Sequence, residues 1–375
     1  MPGYRYESDG EEISIARGHT IDMKYTRKRV NWLARQFGQL TDPASLSQLL
    51  GVQLHLLQLL ALQPRYNTFR VPKKNGTFRL IEDPEPHLKQ VQKRLNTYLQ
   101  CVYYLRRTPA TYGFQISVDG DNDPRNILTN ARRHVGNPWM LNADFLDFFH
   151  QVNYDWVYRL FTREVFTFEP DLAELLAKLT TYGGRLAMGA PTSPVLSNLA
   201  TMPVDDALTE LARSYDWTYT RFADDLTVSA QACIAPAQVQ EFLNTIAPFG
   251  LAFNEAKFAV RSPAMPKTVT GLVVTAQDVQ LPASFVTDTL TEIEKLGHLL
   301  EIHYRSGRPV TRWLEQYQQQ VEGQLAFAEF ILDDADSQLH SLRAAFVRIQ
   351  QTPDLGEPVS WINAAYLEPA SHTLY

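Results

Sequence analysis

Tyr219-Thr220-Arg221-Phe222-Ala223-Asp224-Asp225-Leu226-Thr227-Val228-Ser229 decides how this chain is read. β-Branched and aromatic residues on both sides of a break make it a strand, a tight turn and a second strand. Two adjacent aspartates sit at the break. They repel each other, and neither carboxylate is readily buried without a cation. Paired hard oxygens are what Mg²⁺ takes from a protein when phosphates and water complete its shell. A solvated Asp-Asp turn is the alternative; the apolar flanks favour a turn carried on a buried sheet.

Working outward, Trp139-Met140-Leu141-Asn142-Ala143-Asp144-Phe145 reads as a buried strand that reaches a third aspartate, Asp144. Three carboxylates from two neighbouring strand ends are suited to two divalent ions. Such a pair activates an attacking 3′ or 2′ hydroxyl and stabilises a leaving pyrophosphate.

Around this centre the chain is mostly helical. Helical spacing runs over residues 22–37, which carry Lys24, Arg27, Lys28, Arg29 and Arg35. Asp42 and Pro43 are the N-cap and first position of a Leu-rich helix. Residues 46–62 are the most apolar stretch but contain Gln48, Gln53, His55 and Gln58, so they read as a core helix and not a bilayer span. Residues 66–72 and 77–81 form a hairpin across Lys73-Lys74-Asn75-Gly76. Residues 88–104 form an amphipathic helix with a basic side. Helices are expected over 125–134 and 172–181, from near Asp155, as a single rod over 195–215, and over 235–247. Residues 269–274 read as one strand, and 285–303, 311–330 and 337–351 as helices.

The chain of 375 residues is 45% hydrophobic and 20% charged, ordinary values for a globular protein with room for several subdomains. Only Cys101 and Cys233 are present, which points to a reducing cytoplasm and no zinc site. The polar first 19 residues do not read as a signal peptide. Net charge is −6, but it is unevenly spread. Residues 65–133 carry 13 Lys/Arg against 6 Asp/Glu, and residues 276–375 carry 6 against 14. That asymmetry suits one face for a polyanion and another for something else.

The order Asp144-Phe145-Leu146-Asp147-Phe148-Phe149, then Gly189-Ala190-Pro191-Thr192-Ser193-Pro194, then Phe222-Ala223-Asp224-Asp225 resembles the motifs of reverse transcriptases. Asn130-Ala131-Arg132-Arg133-His134 and Val269-Thr270-Gly271 resemble two motifs of the bacterial retron branch. The similarity extends to Pro72-Lys73-Lys74-Asn75-Gly76, Arg79, Pro84 and Leu88-Lys89, and it covers about residues 46–274. Phe222 stands where a Tyr is usual, and Met188 where a Gln is usual.

The resemblance implies an α+β right-hand polymerase. Its parts are an N-terminal extension (1–40), fingers (41–135), a palm of antiparallel sheet backed by helices (136–280), and a helical thumb with tail (281–375). It implies Asp144, Asp224 and Asp225 as ligands of two Mg²⁺ ions, with Mn²⁺ as a substitute. Lys257 resembles the lysine that protonates departing pyrophosphate, and Phe149 the aromatic wall that rejects a ribose 2′-OH. Arg79 with Lys73 or Lys74 would grip the incoming deoxynucleoside triphosphate. Phe222, Gly189, Ala190 and Pro191 would line its site. Asn130, Arg132, Arg133, His134, Val269, Thr270 and Gly271 would organise the site or the RNA, and Asp147 would serve as a cap. Arg308 and Arg312 of the thumb would grip an RNA stem–loop.

For function, the resemblance implies copying of a cognate non-coding RNA into branched multicopy single-stranded DNA primed from an RNA 2′-OH. It also implies anti-phage defence with a separate effector protein and no membrane. The alternatives are another bacterial reverse transcriptase (intron maturase, diversity-generating or abortive-infection type) or a non-catalytic RNA-binding scaffold. Residues beyond 351 resemble neither an endonuclease nor a maturase domain. Three intact carboxylates argue against the scaffold.

Overall fold

Residues 66–72 and 78–84 make the first sheet. In the computed structural model, which describes residues 25–72, 76–306 and 310–350, β1 (Tyr66–Pro72) pairs antiparallel with β2 (Phe78–Pro84), Val71 opposite Arg79. Pro86 opens the helix Pro86–Arg106, whose Leu88, Val91, Leu95 and Leu99 point into the core as helical spacing requires.

The central sheet is built from β3 (Trp139–Asp144), β4 (Thr218–Phe222), β5 (Asp225–Ala230) and β6 (Ala259–Arg261). All neighbours are antiparallel, in the order β4-β5-β3-β6. One face supplies Leu141, Ala143, Tyr219, Leu226 and Val228 to the main core, which also holds buried side chains of helices Pro170–Thr180 and Ser193–Ala200, while helix Met202–Ser214 packs on β4. This is the expected α+β arrangement of a sheet backed by helices.

Beyond it, β7 (Lys267–Val269), β8 (Leu272–Val274) and β9 (Val279–Gln280) form a small meander. Helices Ala283–Ser306, Arg312–Ile331 and Ser337–Gln350 follow. Their buried Leu296, Leu314, Val321 and Leu342 share a second core with Val269 and Leu272 of the meander, Leu128 and Ala131 of helix Ile127–Arg132, and Met140 of β3.

Three expectations change. Residues 195–215 are two helices, Ser193–Ala200 and Met202–Ser214, because Pro203 has no N–H to continue the first one. Residues 46–62 are likewise split: left-handed Gly51 caps Pro43–Leu50, and Leu54–Leu62 leaves at 105°. Leu46, Leu50, Leu57 and Ala61 of that pair are buried in the main core. Among the described residues no single helix is long and apolar enough to cross a membrane, although this bent pair meets the criterion by length and composition. Residues 269–274 are a hairpin and not one strand. Thr270 and Gly271 both have positive φ (49° and 84°), the signature of a two-residue primed turn, and Val269 pairs with Leu272.

Candidate active site

The two-residue period of the strands sorts the site from the core. On β5, Leu226 and Val228 enter the core, so Asp225, Thr227 and Ser229 take the opposite face. The β3–β5 register sets Asp144 against Asp225, Asn142 against Thr227 and Met140 against Ser229. The ladder therefore ends in two facing carboxylates. Between β4 and β5, Ala223 turns the chain with φ 57°, a left-handed conformation rare for a residue with a Cβ. Backbone bonds fix the corner: Phe145 N–H donates to Asp224 O at 3.1 Å, and Asn254 N–H to Asp144 O at 2.8 Å.

Lys257, in the 3₁₀ turn Glu255–Lys257, places Nζ 2.7 Å from Asp144 Oδ2. Asp144 is buried, whereas the Lys257 side chain is 56% exposed. Burial, a hydrogen bond with Asp144 and the charge of Asp224 push the Asp225 carboxyl up to about 7. Burial and the charge of Asp144 also raise Asp224. Burial lowers Lys257, but its bond to Asp144 and the three carboxylates outweigh this and hold the ammonium above its ordinary range. The site is therefore short of positive charge.

Among the described residues no three side chains close on one point as a preformed metal cluster, and the Lys257 ammonium holds one oxygen of Asp144. The donor set is nevertheless all carboxylate, and its mutual repulsion is what hard divalent cations relieve. The residues present fit such ions. A groove of about 530 Å³ opens beside them, lined among others by Phe222, Arg261, Thr268, Thr270 and Gly271.

The remaining expected residues distribute unevenly. Arg79 is exposed on β2, and half-buried Phe149 packs against Phe114 at 5.9 Å between ring centroids. Gly189 has φ 125°, Ala190 is buried and Pro191 half-buried. Thr270 and Gly271 reach the groove, whereas Val269 is core. Arg132, Arg133 and Arg312 are exposed. Asn130 and His134 are buried and cannot present themselves to RNA in this arrangement. His134 Nδ1 and Nε2 each lie 2.7 Å from a hydroxyl, of Ser229 and Thr220, which ties β5 to β4 on the site face. Asn130 Oδ1 is buried without a hydrogen-bond partner among the described residues. Asp147 has φ 41° and makes no side-chain cap bond. Lys73, Lys74 and Arg308 lie outside the described residues.

Sequence reasoning missed what holds the Asp-Asp turn. Arg221, on the core side of β4, is fully buried. It donates through Nε and Nη2 to Asp205 at 2.8 and 2.7 Å, and through Nη1 to Ala223 O at 2.8 Å. Tyr219 Oη also donates to Asp205, at 2.9 Å. Gly113 backs the same turn, where a Cβ would lie 2.7 Å from Ala223 N. A charge at an inward position of an apolar strand was the available signal.

A family model described as reverse transcriptase (RNA-dependent DNA polymerase) matches residues 71–300. The retron Ec86 reverse transcriptase of Escherichia coli is 32% identical over 218 residues, covering 57% of this chain and 65% of that protein. The retron Mx65 reverse transcriptase of Myxococcus xanthus is 33% identical over 250 residues (60% and 56%), and the Mx162 enzyme of the same organism 28% over 337 residues (80% and 65%). The chain thus spans less than two-thirds of the length of these relatives. With more than half of its residues matched and the carboxylate pair at the end of the central ladder, the chain belongs to the reverse transcriptase family, and its relatives there are of the retron type.

Proposed function

We propose that this protein is a retron reverse transcriptase, an RNA-directed DNA polymerase that copies a cognate non-coding RNA into multicopy single-stranded DNA. Priming from a 2′-OH of that RNA leaves the DNA branched. The product and a separate effector protein then act in anti-phage defence in the cytoplasm. The observation that carries the polymerase reading is the Asp144–Asp225 pair on adjacent strands, with Asp224 beside it and Lys257 on Asp144. The similarity to retron enzymes supports the finer reading.

In this reading Asp144, Asp224 and Asp225 hold Mg²⁺, or Mn²⁺ in its place, which when bound supplies activation of the priming hydroxyl and neutralisation of phosphate charge. Arg79 takes phosphate oxygens of a deoxynucleoside triphosphate with its planar fork. Phe149 closes against the sugar and leaves no room for a 2′-OH on the incoming nucleotide. Lys257 exchanges Asp144 for a pyrophosphate oxygen and gives it a proton. Exposed Arg132, Arg133 and Arg312 meet RNA phosphates.

Incorporation of deoxynucleotides on an RNA template with Mg²⁺ tests the reading. Wild type is expected to synthesise template-dependent DNA, and Asp225→Asn to lose about a thousandfold in rate, equal to several kcal/mol of transition-state stabilisation. RNA binding with no synthesis in either protein contradicts it and favours the scaffold.

A further inference from the structure

The fingers hairpin stands away from the body. Phe69 and Phe78 are 50% and 60% exposed, and Val71 and Leu80 also face outward. It meets the palm at its base, where β2 turns one carboxylate inward. Glu82 is 3% exposed. Its two oxygens accept from Arg185 Nη1 and Nη2 at 2.9 and 3.0 Å, a bidentate fork. His150 Nε2 lies 3.3 Å away, and Met188 N–H donates at 3.4 Å. The backbone joins the same contact: Glu82 N–H donates to Met188 O at 2.7 Å. Gly189 follows so closely that a Cβ there would lie 2.9 Å from Glu82 O.

Two of Glu82's partners adjoin residues of the proposed nucleotide site in sequence. Arg79 shares β2 with Glu82, three positions earlier and on the opposite face of the strand. Phe149 precedes His150, and Gly189-Ala190-Pro191 follows Met188. Other contacts at the hairpin base, such as the Tyr66–Tyr182 stack at 4.2 Å and the Asp83–Lys89 pair at 2.6 Å, reach none of these residues. Arg185, then His150, outweigh the cost of burial and hold the Glu82 carboxyl below its ordinary range, so it stays ionised. A buried, ionised, forked carboxylate fixes orientation more tightly than apolar contact does.

We infer that Glu82, through Arg185, His150 and Met188, is the positioning residue that locks the fingers hairpin to the palm and so sets both the affinity for the incoming deoxynucleotide and the rejection of ribonucleotides. This rests on the polymerase reading above.

Steady-state extension by the full chain with its bound RNA tests it in three proteins: wild type, Glu82→Gln and Arg185→Lys. Both variants are expected to raise KM for deoxynucleotide, Glu82→Gln by about tenfold, with kcat within about threefold, the pattern of lost uniform binding. Preference for deoxy- over ribonucleotides falls with it, and RNA affinity stays unchanged. Folded variants with unaltered KM and sugar preference overturn the inference. So does an equal loss of RNA affinity, which would mark general loosening. If Glu82→Gln does not fold, Arg185→Lys, which keeps the charge and loses the fork, decides by the same readings. No synthesis by wild type removes the polymerase reading itself, and the lock with it.

Discussion

His134 shows how one residue can belong to a motif and still not face its ligand. Burial pushes its imidazole down to about 3, from an ordinary 6.5. Below pH 6.5 the unfolded chain takes up a proton that the folded chain refuses, so stability falls as pH drops from 6.5 towards 3. The contribution is on the order of a few kcal/mol. Denaturant titrations at pH 7 and 5 are expected to show a steeper loss for wild type than for His134→Gln. At pH 7 that variant should be less stable by about 1–3 kcal/mol, since two buried hydroxyls lose a partner. Equal pH slopes would contradict the assignment. The sequence carried the motif, but its burial depends on Ser229 and Thr220, far along the chain. The positions of the carboxylates were legible for the opposite reason: Asp144 and Asp225 sit at the ends of β3 and β5, and Asp224 in the turn beside them, so local pattern alone places them.

At the scale of elements, the strand–turn–strand was readable from local pattern, and β4, Ala223 and β5 follow it. Its support was not, because Arg221 of β4 reaches Asp205 on the preceding helix, Met202–Ser214. Breaking a buried ion pair by removing one partner leaves a charge without compensation and costs about 3–5 kcal/mol. Arg221→Met is expected to lose stability by that amount in chemical denaturation and to slow DNA synthesis, since Ala223 O loses its donor. Arg221→Met/Asp205→Leu should recover much of the stability but not the rate. Recovery of both would show that the pair does not hold the turn. The helices at 195–215 and the turn at Thr270-Gly271 were misread because hydrophobic spacing continues smoothly across Pro203 and Gly271, while backbone chemistry does not.

At the scale of the molecule, the charge asymmetry read from the sequence has a physical setting. Net charge is −6, yet residues 65–133 are basic and include Arg79 on the hairpin and Arg132 and Arg133, all exposed. The second core joins β3 to the C-terminal helices through β7 and β8, and Thr268, Thr270 and Gly271 of that meander also line the groove beside the aspartates. The C-terminal region, residues 276–375, is acidic by contrast, with 6 Lys/Arg against 14 Asp/Glu. The most direct measurement is the nucleic acid that the protein carries when purified from its native host, compared with an Asp224→Asn/Asp225→Asn double variant. A short DNA joined to RNA, cut by debranching enzyme and absent from the variant, is the predicted result. RNA alone in both preparations, or unbranched DNA, would contradict the account.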